Sequence, residues 1–128
     1  ATQNDVNMEQ AKKIVANGIK YYIEVANMPT TNDALRYLMD QKNMVVAPSK
    51  AVNAGGVSVS GLEMSQNQEH LSWTAEEVDG KLRQIMKNIH DSSAAAAERY
   101  GLGYNLVAGA NIVGFQKVAD AMMAQGWV

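Results

Sequence analysis

Two asparagines, a glycine pair and a serine are the residues whose types and spacing could do chemistry in this chain. Asn27 follows the stretch Lys20–Ala26, and Asn53 comes shortly after Met44–Ala47. Each carboxamide offers a donor and an acceptor, a pairing suited to another carboxamide and to ribose hydroxyls. Gly55-Gly56 lies between the apolar run Met44-Val45-Val46-Ala47-Pro48 and the polar and apolar mix Leu62–Gln68. The pair is therefore expected at a strand-to-helix turn, where glycine lets a ligand approach the backbone and the free amides of the first helical turn can hold an anion or a carbonyl. A helix starting near Gly55 places Val57, Ser60 and Met64 on one face. That face carries an apolar wall and one hydroxyl. Taken alone, the spacing also fits a left-handed glycine turn before an ordinary core helix, and Asn27 before Met28-Pro29-Thr30 also fits a turn residue.

Other features resolve into structure rather than chemistry. Gly101-Leu102-Gly103 begins like a dinucleotide fingerprint, but Leu106 occupies the third glycine position and no clear strand precedes it, so it is read as a loop. His70 and His90 stand apart from any acid or nucleophile at a diagnostic spacing and are read as surface residues. Glu76-Glu77 suits helix capping, and the eight methionines follow helical faces as core filler. The absence of cysteine removes disulfides, thiolate catalysis and the usual structural zinc sites, and no metal site is expected. A formal net charge of −2 offers no basic surface for nucleic acid or an anionic membrane. No apolar run approaches the roughly 20 residues that span a bilayer, so a cytoplasmic location is expected.

The elements that must position these residues read as one compact α/β unit. Asn7 caps a first helix with Gln10 as its reciprocal partner; Ala11, Ile14 and Val15 form its buried face and Gly18 ends it. Lys20–Ala26 is rich in β-formers. Thr30 or Thr31 caps a helix from about Asn32 to Gln41, with Ala34, Leu35, Leu38 and Met39 inward. The strand Met44–Ala47 follows. Strand, helix and strand with short connections form a βαβ unit, so the two strands should be parallel. Asn27 and Asn53 would then leave neighbouring strands at the same sheet edge, where ligands bind in open α/β sheets. Beyond that point the chain is mostly helical. Thr74 and Glu77 make a capping box, with Trp73 and Val78 as the expected staple. Val78, Leu82, Ile85, Met86 and Ile89 repeat at helical spacing, and Ala94–Ala97 is a strong helix former. The last helix is expected from about Asn111 to Gln125, with Ile112, Phe115, Ala119, Met122 and Met123 inward.

Asn53-Ala54-Gly55-Gly56-Val57, followed by Ser60-Gly61 and Glu63, is similar to the signature near the end of the coenzyme domain of glutamate dehydrogenases. The resemblance runs from Ala1-Thr2-Gln3-Asn4 through Ala26–Thr31 to Gly109–Ala121, and the chain resembles the carboxy-terminal part of the hexameric bacterial type. An opening at Ala1 without an initiator methionine suits an excised piece. The resemblance implies the helix-rich later half of a Rossmann-type coenzyme domain over residues 1–70 and a carboxy-terminal helical segment over 71–128 that packs toward the substrate domain. It implies NAD or NADP as cofactor, with the backbone of Ala1 and Thr2 lining the cofactor cleft and Asn27 and Asn53 along the nicotinamide and its ribose. It makes Val57 the wall of the substrate pocket and Ser60 a hydrogen-bond donor to the side-chain carboxylate of L-glutamate. The implied reaction is oxidative deamination to 2-oxoglutarate and ammonia. Its proton-transfer lysine and aspartate belong to the substrate domain, which leaves no catalytic residue in this chain. The implied partners are the remainder of the parent chain and further copies of it, with no nucleic acid or membrane. A related leucine, phenylalanine or valine dehydrogenase is the rival enzyme, and Ser60 argues against it because those substrates lack a distal carboxylate. The rival outside enzymology is a non-catalytic helical association module.

Two strands are marginal as an independent sheet, and an unpaired edge beside Ile23, Val25, Val45 and Val46 tends to recruit another strand. The 128-residue chain alone should therefore self-associate. Light scattering that finds a cooperatively folding 13.9 kDa monomer at micromolar concentration would contradict this.

Overall fold

The computed structural model describes residues 2–126. Helix α1 (Met8–Ala16) opens with a reciprocal cap: Asn7 Oδ1 accepts from the Glu9 N–H at 2.8 Å, and the Asn7 N–H donates to Gln10 Oε1 at 3.1 Å. Its Ala11 is fully buried, Ile14 and Val15 pack beside it, and Gly18 leaves the helix at a φ of +69° that favours glycine. Strand β1 (Tyr21–Ile23) pairs in parallel with β2 (Val45–Ala47), in the register Tyr21 with Val45, Tyr22 with Val46 and Ile23 with Ala47. Helix α2 (Asn32–Met39) makes the crossover and buries Ala34 and Leu38. Ala11, Ala34, Leu38 and Val46 form the core, with Tyr22, Leu35, Met39 and Val107 packed against it. The expected parallel βαβ unit is present.

Its first strand is shorter than the expected stretch Lys20–Ala26. One further ladder bond, from the Glu24 N–H to the Ala47 carbonyl at 3.1 Å, closes the pairing, and Val25 projects outward with no strand beside it. Thr31 occupies the cap position of α2 without a side-chain capping bond, whereas the buried Thr30 hydroxyl hydrogen-bonds the Tyr22 phenol at 2.6 Å. The N-terminal segment lies along this same connection. Val6 bridges Thr30 in parallel, and the Asn4 N–H reaches the Met28 carbonyl at 3.0 Å.

The rest of the chain is helical: α3 (Ser49–Val52), α4 (Ala54–Glu69), α5 (Ala75–Arg99) and α6 (Leu106–Gln125). The capping box at the start of α5 is formed, with the Glu77 N–H on Thr74 Oγ1 at 3.2 Å and the Thr74 N–H on Glu77 Oε2 at 2.7 Å. Trp73 and Val78 are both half-buried, and the Lys81 ammonium sits 4.6 Å from the centre of the indole ring. The face Val78, Leu82, Ile85, Met86 and Ile89 is half-buried as expected. Gly101-Leu102-Gly103 is a helix stop: Leu102 N–H bonds the Ala97 carbonyl and Gly101 N–H the Glu98 carbonyl, both at 2.9 Å, with both glycines at positive φ. No described helix is long and apolar enough to cross a membrane.

Helices α5 and α6 pack closely through small residues. Ser93, Ala97 and Gly109 are buried in the contact, and a β-carbon on Gly109 would stand 1.9 Å from the Ser93 carbonyl oxygen. Helix α6 begins at Leu106 rather than near Asn111, because Asn105 caps it by accepting from the Ala108 N–H at 3.0 Å. Its expected inward face is only partly inward. Ile112 and Ala119 are half-buried, but Phe115 is 73% exposed, Met123 is 83% exposed and Met122 is exposed beside them. One helical partner covers one stripe, and no other described element lies over the second.

Gly109→Ala should cost about 1–3 kcal/mol, because the two backbones must separate to admit the methyl group. Gly114→Ala, at a site with open space around the new carbon, should instead stabilise by roughly 0.5–1 kcal/mol. Urea unfolding of the two variants checks this, and equal midpoints would contradict the packing.

Candidate functional site

The connection after β2 differs from the expected glycine turn. The chain leaves the strand through buried Pro48, makes the single turn α3, and passes through Asn53 into α4. Gly55 and Gly56 are the second and third residues of α4, and neither has positive φ. The strand-to-helix turn is at Pro48-Ser49, with Pro48 in extended backbone at the cap position and Ser49 the first helical residue. The glycines act through their missing side chains instead. A β-carbon on Gly55 would meet Met86 Sδ at 3.6 Å and Leu82 Cδ1 at 3.9 Å, so Gly55 lies against α5. A β-carbon on Gly56 would meet nothing within 4 Å, so there the bare helix start faces open space.

Val57, Ser60 and Met64 share the face that helical spacing predicts, and it is turned away from α5. Val57 is 72% exposed, Met64 is 71% exposed and Ser60 is exposed between them. The half-buried residues of α4 include Gly55, Ser58, Leu62, Ser65 and Gln66. Ser60 Oγ donates to the Gly56 carbonyl at 3.4 Å, a long bond beside the 2.7 Å that Ser58 makes to Ala54. The Ser60 hydroxyl is thus weakly held on an open, otherwise apolar face.

Asn27 is exposed in the bend after β1, and Asn53 is half-buried at the junction of α3 and α4 with no side-chain capping bond. Asn27 follows β1 directly through the bend, whereas Asn53 is separated from the end of β2 by Pro48 and α3. The Asn4–Met28 hydrogen bond lays the N-terminal segment, to which the expected Thr2 belongs, against the Asn27 bend. Thr2 is itself fixed by Asp5: its N–H donates to Oδ2 at 2.5 Å and its hydroxyl to Oδ1 at 2.6 Å. These bonds hold the Asp5 carboxyl below its ordinary range, the side-chain bond contributing most. Ala1 lies outside the described residues. Met28, at a φ of +47°, is a non-glycine residue in left-handed backbone between Asn27 and Pro29.

Two further polar residues escaped the sequence reading. Glu24, buried at the end of β1, accepts the Ser49 N–H at 3.0 Å. A carboxyl group inside a run of β-formers was the available signal. The Lys50 ammonium donates to Asn111 Oδ1, tying α3 to α6 across a separation no local pattern reveals. Elsewhere, His70 and His90 are exposed as expected, but His90 is partnered, through Nδ1 with Asp91 at 3.0 Å and through Nε2 with the Tyr104 hydroxyl.

The profile of the glutamate/leucine/phenylalanine/valine dehydrogenases matches residues 1–126. The chain belongs to this family. It is 85% identical over 126 residues to the NAD-specific glutamate dehydrogenase of Clostridium symbiosum, covering 98% of this chain and 28% of that protein. It is 54% identical over 130 residues to the NADP-specific glutamate dehydrogenase of a Psychrobacter species, covering 98% of this chain and 29% of the relative. A solved glutamate dehydrogenase superposes with a TM-score of 0.96 at 84% identity, covering 100% of this chain and 28% of its own. The chain thus spans less than a third of the length of these relatives, and the helix-rich arrangement with a small parallel sheet is that of the corresponding part of the solved structure.

The Thr2–Asp5 contact should be insensitive to pH near neutrality. A carboxyl whose folded value is depressed contributes its stabilisation above the unfolded value and loses it as pH falls through the folded one. The Thr2 amide resonance should titrate with a midpoint below the ordinary aspartate value of 3.8, and Asp5→Asn should abolish that titration. A midpoint at or above 3.8 would contradict the bonding.

Proposed function

We propose that this family member contributes one wall of the nicotinamide and amino-acid site of an NAD(P)-dependent glutamate dehydrogenase, the oxidative deamination of L-glutamate to 2-oxoglutarate and ammonia. The observation that carries the proposal is the open face of α4, where Ser60 is the hydroxyl beside exposed Val57 and the bare start at Gly56. A hydroxyl on an otherwise apolar, open wall suits a carboxylate at the end of an aliphatic chain, which it can meet as a charge-assisted hydrogen-bond donor. Family membership alone leaves leucine, phenylalanine and valine open as substrates. The distal carboxylate is what separates glutamate from them, and Ser60 has the chemistry to recognise it. The named relatives are glutamate dehydrogenases, which favours the same choice.

Residues 1–70 then form the later half of a Rossmann-type coenzyme domain, and residues 71–128 a helical segment that packs toward the substrate domain. A bound nicotinamide would supply the acceptor for the hydride of the glutamate α-carbon. Asn27, Asn53 and the backbone near Ala1 and Thr2 orient it: the two carboxamides supply donors and acceptors to the nicotinamide amide and the ribose. A half-buried carboxamide without a capping role at Asn53, and an exposed one at Asn27, fit that task. Val57 shapes the aliphatic part of the substrate site and Ser60 fixes its far end. The proton-transfer groups come from the rest of the parent chain. The exposed apolar stripe Phe115, Val118, Met122 and Met123 supports burial against that remainder or against further subunits of a homo-oligomer. It is also what a purely associative helical module would show, but such a module gives no reason for the relatives being glutamate dehydrogenases.

In the full-length enzyme, Ser60→Ala should reduce kcat/KM for glutamate by an amount equivalent to about 1.5–3 kcal/mol, the usual worth of a hydrogen bond to a charged group. Norvaline, which lacks the distal carboxylate, should be used almost equally by both forms. An equal loss with both substrates would make Ser60 a structural residue and the pocket assignment wrong.

A further inference from the structure

Glu24 is 5% exposed, the one carboxyl group among the buried polar residues described. Burying such a group is costly unless it is hydrogen-bonded or paired. The side-chain ion pairs of the described residues join Lys13 to Glu9, Arg83 to Asp79, and Lys87 and His90 to Asp91, and none involves Glu24. Its described side-chain partner is the Ser49 amide, 25 residues further along the chain, at 3.0 Å.

That amide has a particular need. Ser49 opens α3, and the first amides of a helix lack intrahelical partners. A Ser, Thr, Asp or Asn at the preceding position accepts from the second or third of these amides and leaves the first, here that of Ser49, out of its reach. Here that position is Pro48, which makes no side-chain cap. Its carbonyl accepts from Ala51 and Val52, both at 3.1 Å, and the Ser49 carbonyl accepts from Asn53 at 2.8 Å. Glu24 therefore does from the neighbouring strand what the local sequence cannot. Alternation along β1 turns it inward after the exposed Ile23, and its own N–H is fixed on the Ala47 carbonyl. The backbone of one residue thus closes the strand pairing while its side chain starts the helix that ends at Asn53.

We propose that Glu24 is a positioning residue for the cofactor and substrate wall: its carboxyl group, on the Ser49 amide, sets the α3 turn and thereby the placement of Asn53 and the start of α4. The functional half of this rests on the glutamate dehydrogenase site described above. Glu24 is buried behind this wall, so its action runs through Ser49.

The test compares Glu24→Ala and Glu24→Gln with wild type in the full-length enzyme, by hydrogen exchange over residues 48–53 and by steady-state kinetics with glutamate and NAD or NADP. Glutamine keeps a carbonyl oxygen for the Ser49 amide and alanine keeps nothing. Glu24→Ala should speed exchange over this segment, and raise KM for the nicotinamide cofactor, by at least about tenfold, with kcat within about threefold. Glu24→Gln should return both to within about threefold of wild type. Unchanged exchange in Glu24→Ala, or a glutamine variant no better than alanine, overturns the proposal. Faster exchange with unaltered KM also overturns it, leaving Glu24 a stability residue only. A wild type that does not oxidise glutamate would refute the proposed reaction, while the exchange arm would still decide whether Glu24 anchors α3.

Discussion

Parallel pairing of β1 with β2 is the constraint on which the rest of the structure depends. Two parallel strands cannot be joined by a tight hairpin, so the chain must cross over the sheet and return. Helix α2 makes that crossing, and Ala34 and Leu38 bury it against Val46 and α1. The same geometry sends both strands out at one edge. Two connections leave from there: the Asn27 bend with the N-terminal segment hydrogen-bonded to it, and the Pro48 turn leading through α3 to Asn53 and α4.

The helical half depends on a different constraint, the absence of bulk. Ser93, Ala97 and Gly109 bring α5 and α6 so close that no β-carbon fits at Gly109. Tight packing of one stripe leaves the other stripe of α6 uncovered, with Phe115 and Met123 outward. Val107 at the start of α6 reaches the sheet core, and Lys50 reaches Asn111, so the hairpin and the strand-end connections form one body.

Local rules made much of this legible. Both capping boxes, Asn7 with Gln10 and Thr74 with Glu77, are formed where the residue types place them, because a cap is settled within four residues. The crossover and the parallel direction of the strands followed from connection length. What local rules missed depends on contacts distant in sequence. A helix start at Ser49 is hidden because its cap comes from Glu24 on another strand. The glycine pair suggested a turn, yet Gly55 is there for α5 and Gly56 for open space. The inward face expected for α6 failed because periodicity shows that a stripe is apolar and not which element covers it. Asn105, whose side chain caps α6, was available in the sequence as the start of that helix. The family resemblance was carried by the same Asn53–Gly61 signature whose local conformation was misjudged, so membership was readable where geometry was not.

The central claim is that the open face of α4 meets the far end of glutamate. A crystal structure of the full-length enzyme with glutamate and its nicotinamide cofactor tests it most directly. The account predicts Ser60 Oγ about 2.5–3.0 Å from the distal carboxylate, having left the Gly56 carbonyl, with Val57 against the substrate's methylene groups and Asn53 beside the cofactor. A glutamate whose distal carboxylate is held by other groups, with Ser60 still turned back onto Gly56, would contradict it.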